Sequence, residues 1–170
     1  AADTGCKPAF QGIEALGTEA QVFYVGACAA PTILADVDTS ATDGGIFSVE
    51  GPINRESPSP DFTLYDAVID TYGDGLDPVG AGTVSFRSFM NLYAVLREIG
   101  ADDITPQAII DSLSSKVDEP SFMGHDYTCD RKQFDGLPAM CSPQQILAVM
   151  EDRNLTQVGD WVDVGAIYAG

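Results

Sequence analysis

Thr83 to Pro120 carries the strongest pattern in the chain, and any fold has to accommodate it. Val84, Phe86, Phe89, Leu92, Tyr93, Leu96 and Ile99 recur at three- and four-residue steps, which marks one apolar face of a helix. Gly100 follows, where a residue without a Cβ makes a left-handed cap at least cost. Thr105-Pro106 then opens a second helix. The Thr105 hydroxyl can cap it, and Pro106 suits the first helical position, where its missing N–H is of no consequence. Ala108, Ile109, Ser112 and Leu113 carry that helix to Ser115. The expectation is a helix pair that the rest of the chain covers or feeds.

The N-terminal part reads as alternating helix and strand. Residues 7–16 form a short helix with Phe10, Ile13 and Leu16 on one side, ended by Gly17. Gln21 to Gly26 is a continuous β-rich run, as expected of a strand buried on both faces. Thr32 to Val37 supplies one or two helical turns, and Gly45 to Glu50 a second strand. This order is the grammar of a parallel sheet. A Gly-, Pro- and Ser-rich segment at residues 51–60 breaks the pattern. Asp61 then caps a helix whose apolar positions are Phe62, Leu64, Tyr65, Val68, Ile69 and Tyr72, followed by a glycine-rich loop from Gly73 to Gly82. After Ser121 a polar loop holds Cys129 and Cys141. Gln144–Glu151 is ambiguous from its own residues: Ser142-Pro143 could cap a helix, while the apolar run could be a strand. Asn154 and Gly159 mark turns, and Trp161 to Val164 a last strand.

Several function classes are disfavoured. Eight basic against 26 acidic residues give a net charge of −18, the wrong sign for binding nucleic acid. No apolar run approaches the ~20 residues of a membrane helix. The chain opens Ala1-Ala2-Asp3, with no initiator Met, signal peptide or lipid-attachment Cys at its start, so it reads as a mature product or a fragment. None of the four cysteines forms a C-x-x-C and there is one His, which argues against a metal site. Two disulfides in an oxidising compartment fit better, and three pairings are open. Asp70 to Gly75 resembles the start of a calcium loop, but Ala81 would then fall at the last ligand position, where a bidentate Glu belongs. His125 and Cys129 are four apart, yet no nucleophile turn frames the Cys, and Gly73-Asp74-Gly75 lacks a phosphate-loop Lys. No catalytic residue is assigned, and no cofactor.

From the glycine loop onward the chain carries, in order, Phe86 near a helix start, Ala94-Val95-Leu96-Arg97-Glu98-Ile99-Gly100, Thr105-Pro106 with Ile109-Ile110-Asp111-Ser112-Leu113, Phe122-Met123-Gly124, Leu137-Pro138-Ala139-Met140-Cys141, and Gly159-Asp160-Trp161-Val162. In their order these features resemble the second half of an extracytoplasmic solute-binding protein of the branched-chain amino-acid (leucine/isoleucine/valine) binding family of ABC importers. The two early strands precede them in the order the family has.

The resemblance implies an α/β fold: parallel-sheet, three-layer lobes of a type I periplasmic-binding-protein fold, here incomplete. It implies that residues 1–52 belong to the second lobe, 53–147 to the first, and 148–170 cross and return. It makes Gln144–Glu151 a strand. It implies pairing of Cys6 with Cys28, at the ends of neighbouring strands, and of Cys129 with Cys141 across a loop. Closing a loop of that length contributes about 3 kcal/mol. The implied partners are a small organic solute, an ABC permease and a missing N-terminal half. The implied location is extracytoplasmic, either periplasmic or as a cell-surface lipoprotein before truncation.

Ligands of open α/β sheets sit beyond the strands' carboxyl ends. That selects Asp3, Thr4, Ala27, Cys28, Ala29, Gly82, Thr83 and Phe86. In the amino-acid-binding members, the turn at Ala27–Ala29 carries a Glu for the ligand's ammonium. Here Cys28 takes that place, so a less charged or larger solute is expected unless Asp3 substitutes. A second reading is a secreted, disulfide-stabilised interaction or sensor domain with no transport role.

Overall fold

The computed structural model describes residues 3–51, 59–76, 78 and 81–168, with the side chains of residues 3, 81, 82 and 168 outside that description. Helix α1 spans Cys6–Leu16, α2 Pro31–Leu34, α3 Pro60–Tyr72, α4 Ala81–Ile99, α5 Pro106–Ser114 and α6 Val164–Tyr168. Strand β1 spans Phe23–Val25, β2 Ile46–Val49, β3 Gln144–Glu151 and β4 Asn154–Asp163. They form one sheet in the order β1-β2-β3-β4. The parallel grammar of the early chain holds for β1 and β2; the late strands add antiparallel neighbours, β3 on β2 and β4 on β3.

The caps follow the local chemistry. Gly17 (φ 56°) ends α1 in the left-handed region. Gly100 (φ 89°) ends α4 in a conformation costly for any other residue. The Thr105 hydroxyl accepts from the Ala108 N–H, with Pro106 at the first position of α5. Helix α3 starts earlier than expected. Its cap is Ser59, which accepts from the Asp61 N–H, and the Asp61 carboxylate instead receives the Met123 N–H at 2.8 Å.

Two bodies result. In the sheet body α1 and α2 pack on one face of the sheet. The rings of Phe10, Tyr24 and Phe47 stand in file at 4.9 and 4.8 Å, above Ile146, Ala148 and Met150. Phe10 and Phe47 are fully buried, each worth roughly 1.5–3 kcal/mol of burial. The Tyr24 hydroxyl donates to the Ala41 carbonyl at 2.9 Å, so the half-buried ring keeps its polar end satisfied.

The opposite face corrects the expectation for β1. Strand register puts Phe23, Ile46, Val149 and Thr156 in one row, and Val25, Ser48, Leu147 and Val158 in the next. Phe23 is 67% exposed and Val25 57%. The apolar run 21–26 is therefore not buried on both faces: β1 is an edge strand with one face covered by α1. Leu16, the last residue of α1, is likewise exposed, while Phe10 and Ile13 of the same helix pack into the core. The last strand is longer than Trp161–Val164 suggested. It begins at Asn154, after a two-residue Asp152-Arg153 turn with positive φ at both positions, as the twist of a tight hairpin requires. Asp43 accepts from the Asp152 N–H, and Arg153 donates to the Val37 carbonyl, which pins that turn to the rest of the sheet body.

The helical body comprises α3, α4, α5 and the loop from Ser115 to Pro143. Tyr65 and Val95 are its buried anchors. The helix pair that dominates the sequence is not where the main core sits. Phe89, Leu92, Tyr93 and Val84 of its apolar stripe are exposed, as are Leu64 and Tyr72 of α3. The stripe forms one helix, as its spacing predicts, but among the described residues only part of it is covered: Phe86 packs against Tyr65 and Phe122, and Leu96 and Ile99 are half-buried.

Candidate functional site

The sequence-predicted site residues lie in two groups. Asp3 and Thr4 belong to a single 3₁₀ turn, Asp3–Gly5, that leads into α1, with the Asp3 side chain outside the described residues. Ala27, Cys28 and Ala29 belong to a second such turn, Gly26–Ala29, directly beyond the C-terminal end of β1. The Cys6–Cys28 disulfide joins the first residue of α1, directly after the first turn, to the second turn, with the Cα atoms 5.4 Å apart. Cys28 is buried, and its sulfur is committed to the bridge. Ala29 packs against the sheet-body core.

Gly82, Thr83 and Phe86 lie in the first turns of α4, in the helical body. Phe86 fills an aromatic cluster, edge-on to Tyr65 at 5.0 Å and tilted against Phe122 at 5.8 Å. None of these eight residues lines either of the two cavities described next.

Arg87, which sequence reasoning did not single out, holds the two bodies together. Its Nη1 donates to the Glu50 carbonyl at 2.8 Å, just past β2, and to the Met123 carbonyl at 3.3 Å, in the loop after α5. Asn91, one turn on, donates to Ser121 Oγ and accepts the Phe122 N–H. Gly51 allows this approach: a Cβ there would stand 2.6 Å from Arg87 Nη1 and 2.7 Å from the Met123 carbonyl oxygen. Burial pulls the Arg87 pKa below its ordinary value, with the nearby Glu50 charge opposing that shift. The local sequence carries little signal for this role: Arg87 follows Phe86 on a mixed helix that also holds Asn91, Arg97 and Glu98.

A cavity of about 410 Å³ opens at this junction, between α4, the disulfide-closed loop and the start of β3. A second, of about 520 Å³, lies between Arg131–Gly136 and the start of α6. The second disulfide, Cys129–Cys141, closes the loop beside the first cavity. It leaves Cys129 no thiol for nucleophilic chemistry. His125, four residues away, stands edge-on to Trp161 at 5.1 Å instead. Lys116 ties the end of α5 to α4 through Glu98, with Glu119 at 3.7 Å.

The two bodies together have the fold of part of a type I periplasmic binding protein. One solved structure that carries the likeness is a leucine binding protein, LivK, from Thermotoga maritima MSB8. It superposes with a TM-score of 0.62 at 11% identity, over 92% of this chain and 41% of that one. At that identity the likeness concerns the fold alone, and this chain spans less than half of that protein's length. No protein-family model matches the sequence. No curated protein matches it either.

Proposed function

We propose that this chain is part of an extracytoplasmic solute-binding receptor, in which a small organic solute is held between two α/β lobes and delivered to an ABC permease. The observation that carries the reading is the likeness of 92% of the chain to a leucine-binding protein. Two disulfides suit an oxidising compartment and support it. The open sheet face at Phe23 and Val25, and the open helix stripe at Phe89 and Tyr93, are surfaces that an N-terminal half would cover.

Residues 1–52 then form the second-lobe segment, 53–147 the first-lobe segment, and 148–170 the crossing strand and return. The solute would meet Asp3, Thr4 and Ala27–Ala29 from one lobe, and Gly82, Thr83 and Phe86 from the other. Because the Cys28 sulfur is bridged, that turn offers no carboxylate for an ammonium group. A neutral or weakly polar solute suits it better than a free amino acid. The lobes would close on the solute by rotation about the crossing segments, with no chemistry at the ligand.

The test is native mass spectrometry of the purified protein beside its denatured, non-reduced mass, followed by melting with neutral amides and free amino acids. The expected result is a second polypeptide or a bound neutral solute, with Thr83→Trp abolishing the solute-induced rise in melting temperature. A bare chain that no solute stabilises, even after the N-terminal half is supplied, would leave the interaction-domain reading in its place.

A further inference from the structure

The junction cavity has a mixed lining, with Arg87 and Gln145 among its polar residues and Leu92, Leu113 and the Cys129–Cys141 disulfide among its apolar ones. Arg87 spends only Nη1 on the two backbone carbonyls, so among the described residues its Nε and Nη2 donors have no hydrogen-bond partner. A half-buried guanidinium with two parallel donors unused suits a carboxylate, which it can grip with a pair of charge-assisted bonds. Gln145 adds a donor: its Oε1 accepts from Ser48 Oγ at 2.9 Å, which turns its amide hydrogens away from that bond. His125 also lines the cavity, with its Nδ1 2.7 Å from the Asp126 carbonyl oxygen.

We propose that this cavity is a binding site for a small monocarboxylic acid with an apolar tail, its carboxylate on Arg87 and its tail against Leu92 and Leu113. Charge selects the ligand. Glu50 also lines the cavity and the chain carries −18, so a second negative charge on the ligand would be repelled. Volume agrees, since about 410 Å³ is at the small-molecule end of ligand sites. The site shares no residue with the proposed solute cleft and does not rest on the receptor reading. It touches Glu50, where the chain leaves the sheet body, and Ser142 to Gln145, where it returns. A bound acid would therefore bridge both bodies at their two covalent connections.

The experiment uses the whole chain with isovalerate and benzoate, their neutral amides as controls, and sodium phosphate at matched ionic strength. His125 is the only histidine, so its ring-proton NMR signals report on this cavity without assignment work. Both acids are expected to move those signals saturably. At a hundred-fold excess over their Kd they should raise the melting temperature by about 5–10 °C. The amides and phosphate should do neither. Arg87→Lys keeps a charge and one donor for the Glu50 carbonyl but loses the fork, and should lose both responses. Equal responses to acid and amide, or a response that survives Arg87→Lys, would overturn the assignment. Should the variant fail to fold, the acid-against-amide comparison on the unaltered chain decides alone. Failure of neutral solutes to bind leaves this result untouched, so the two proposals fail separately.

Discussion

The sheet body and the helical body are built from equally clear sequence patterns, yet only one of them closes. In the sheet body, Phe10, Phe47, Ile146, Ala148 and Met150 are sealed under two helices and fixed by a disulfide at the mouth of β1. In the helical body, a 19-residue helix with a regular apolar stripe leaves Phe89 62% exposed and Tyr93 46% exposed. Periodicity tells which side of a helix requires burial. It does not say whether the surface that provides it lies within the same stretch of chain.

The contrast can be broken most forcefully at Phe47. Phe47→Ala removes a fully buried ring from the centre of the sheet body and should cost about 3–5 kcal/mol in urea unfolding. A cost under 1 kcal/mol would mean that the sheet core is not the stable unit. Gly51→Ala tests the seam. Its new methyl would collide with a backbone carbonyl as well as with Arg87, and a loss of about 1–3 kcal/mol is expected. Full stability in that variant would show the two bodies to be loosely joined.

Alkaline titration sharpens the helical side. The Glu98 hydrogen bond, opposed in part by burial and helped by the charges of Glu119 and Glu98, raises the Lys116 pKa above its ordinary 10.5. The folded chain therefore holds this proton more tightly than the unfolded chain does. The resulting stability is fully present below pH 10.5 and is lost as pH rises through the folded value. Burial first, then Glu119, raises the Tyr127 pKa, so that group acts in the same direction. Since Glu98 is exposed and Glu119 half-exposed, solvent screens both charges and the Lys116 contribution should stay below about 1 kcal/mol. Lys116→Met should flatten the alkaline loss seen in denaturant melts between pH 9 and 12. The smallest effect is expected at Phe89. In the isolated chain Phe89→Ala should shift stability by no more than about 0.5 kcal/mol. Under the receptor reading, it should become costly once an N-terminal half is present.

Much of the fold was legible where the cause is local. Gly17, Gly100 and Thr105-Pro106 end and start helices for reasons contained in one or two residues, and the structure places those boundaries there. Strand β2 was equally plain, while β3 needed the family resemblance to separate strand from helix. What escaped was set at a distance. Whether Phe23 faces a helix or open solvent depends on β1 being at the edge of the sheet, which the run 21–26 does not encode. The early part of β4 was missed because its exposed residues lack alternation and its turn is Asp-Arg rather than a glycine pair. Asp61 looked like a cap by position, but Ser59 was as well suited and Met123 claimed the carboxylate. At the site, Arg87 could not have been found from sequence, because both carbonyls it joins are brought to it from distant segments by folding.

The order of strands also sets a timetable. β2 and β3 are neighbours in the sheet, yet Ser48 and Gln145, which touch across that boundary, are 97 residues apart in the chain. Only β1 and β2 can meet early, and three or four residues each of parallel strand are a weak nucleus. During synthesis the ring file of Phe10, Tyr24 and Phe47 therefore waits, without the floor supplied by Ile146, Ala148 and Met150, until nearly the whole helical body has been made. Closing so long a span is entropically slow, and the waiting surface is apolar. The Cys6–Cys28 bridge, whose two partners are both made early, can hold the first elements in register through that interval.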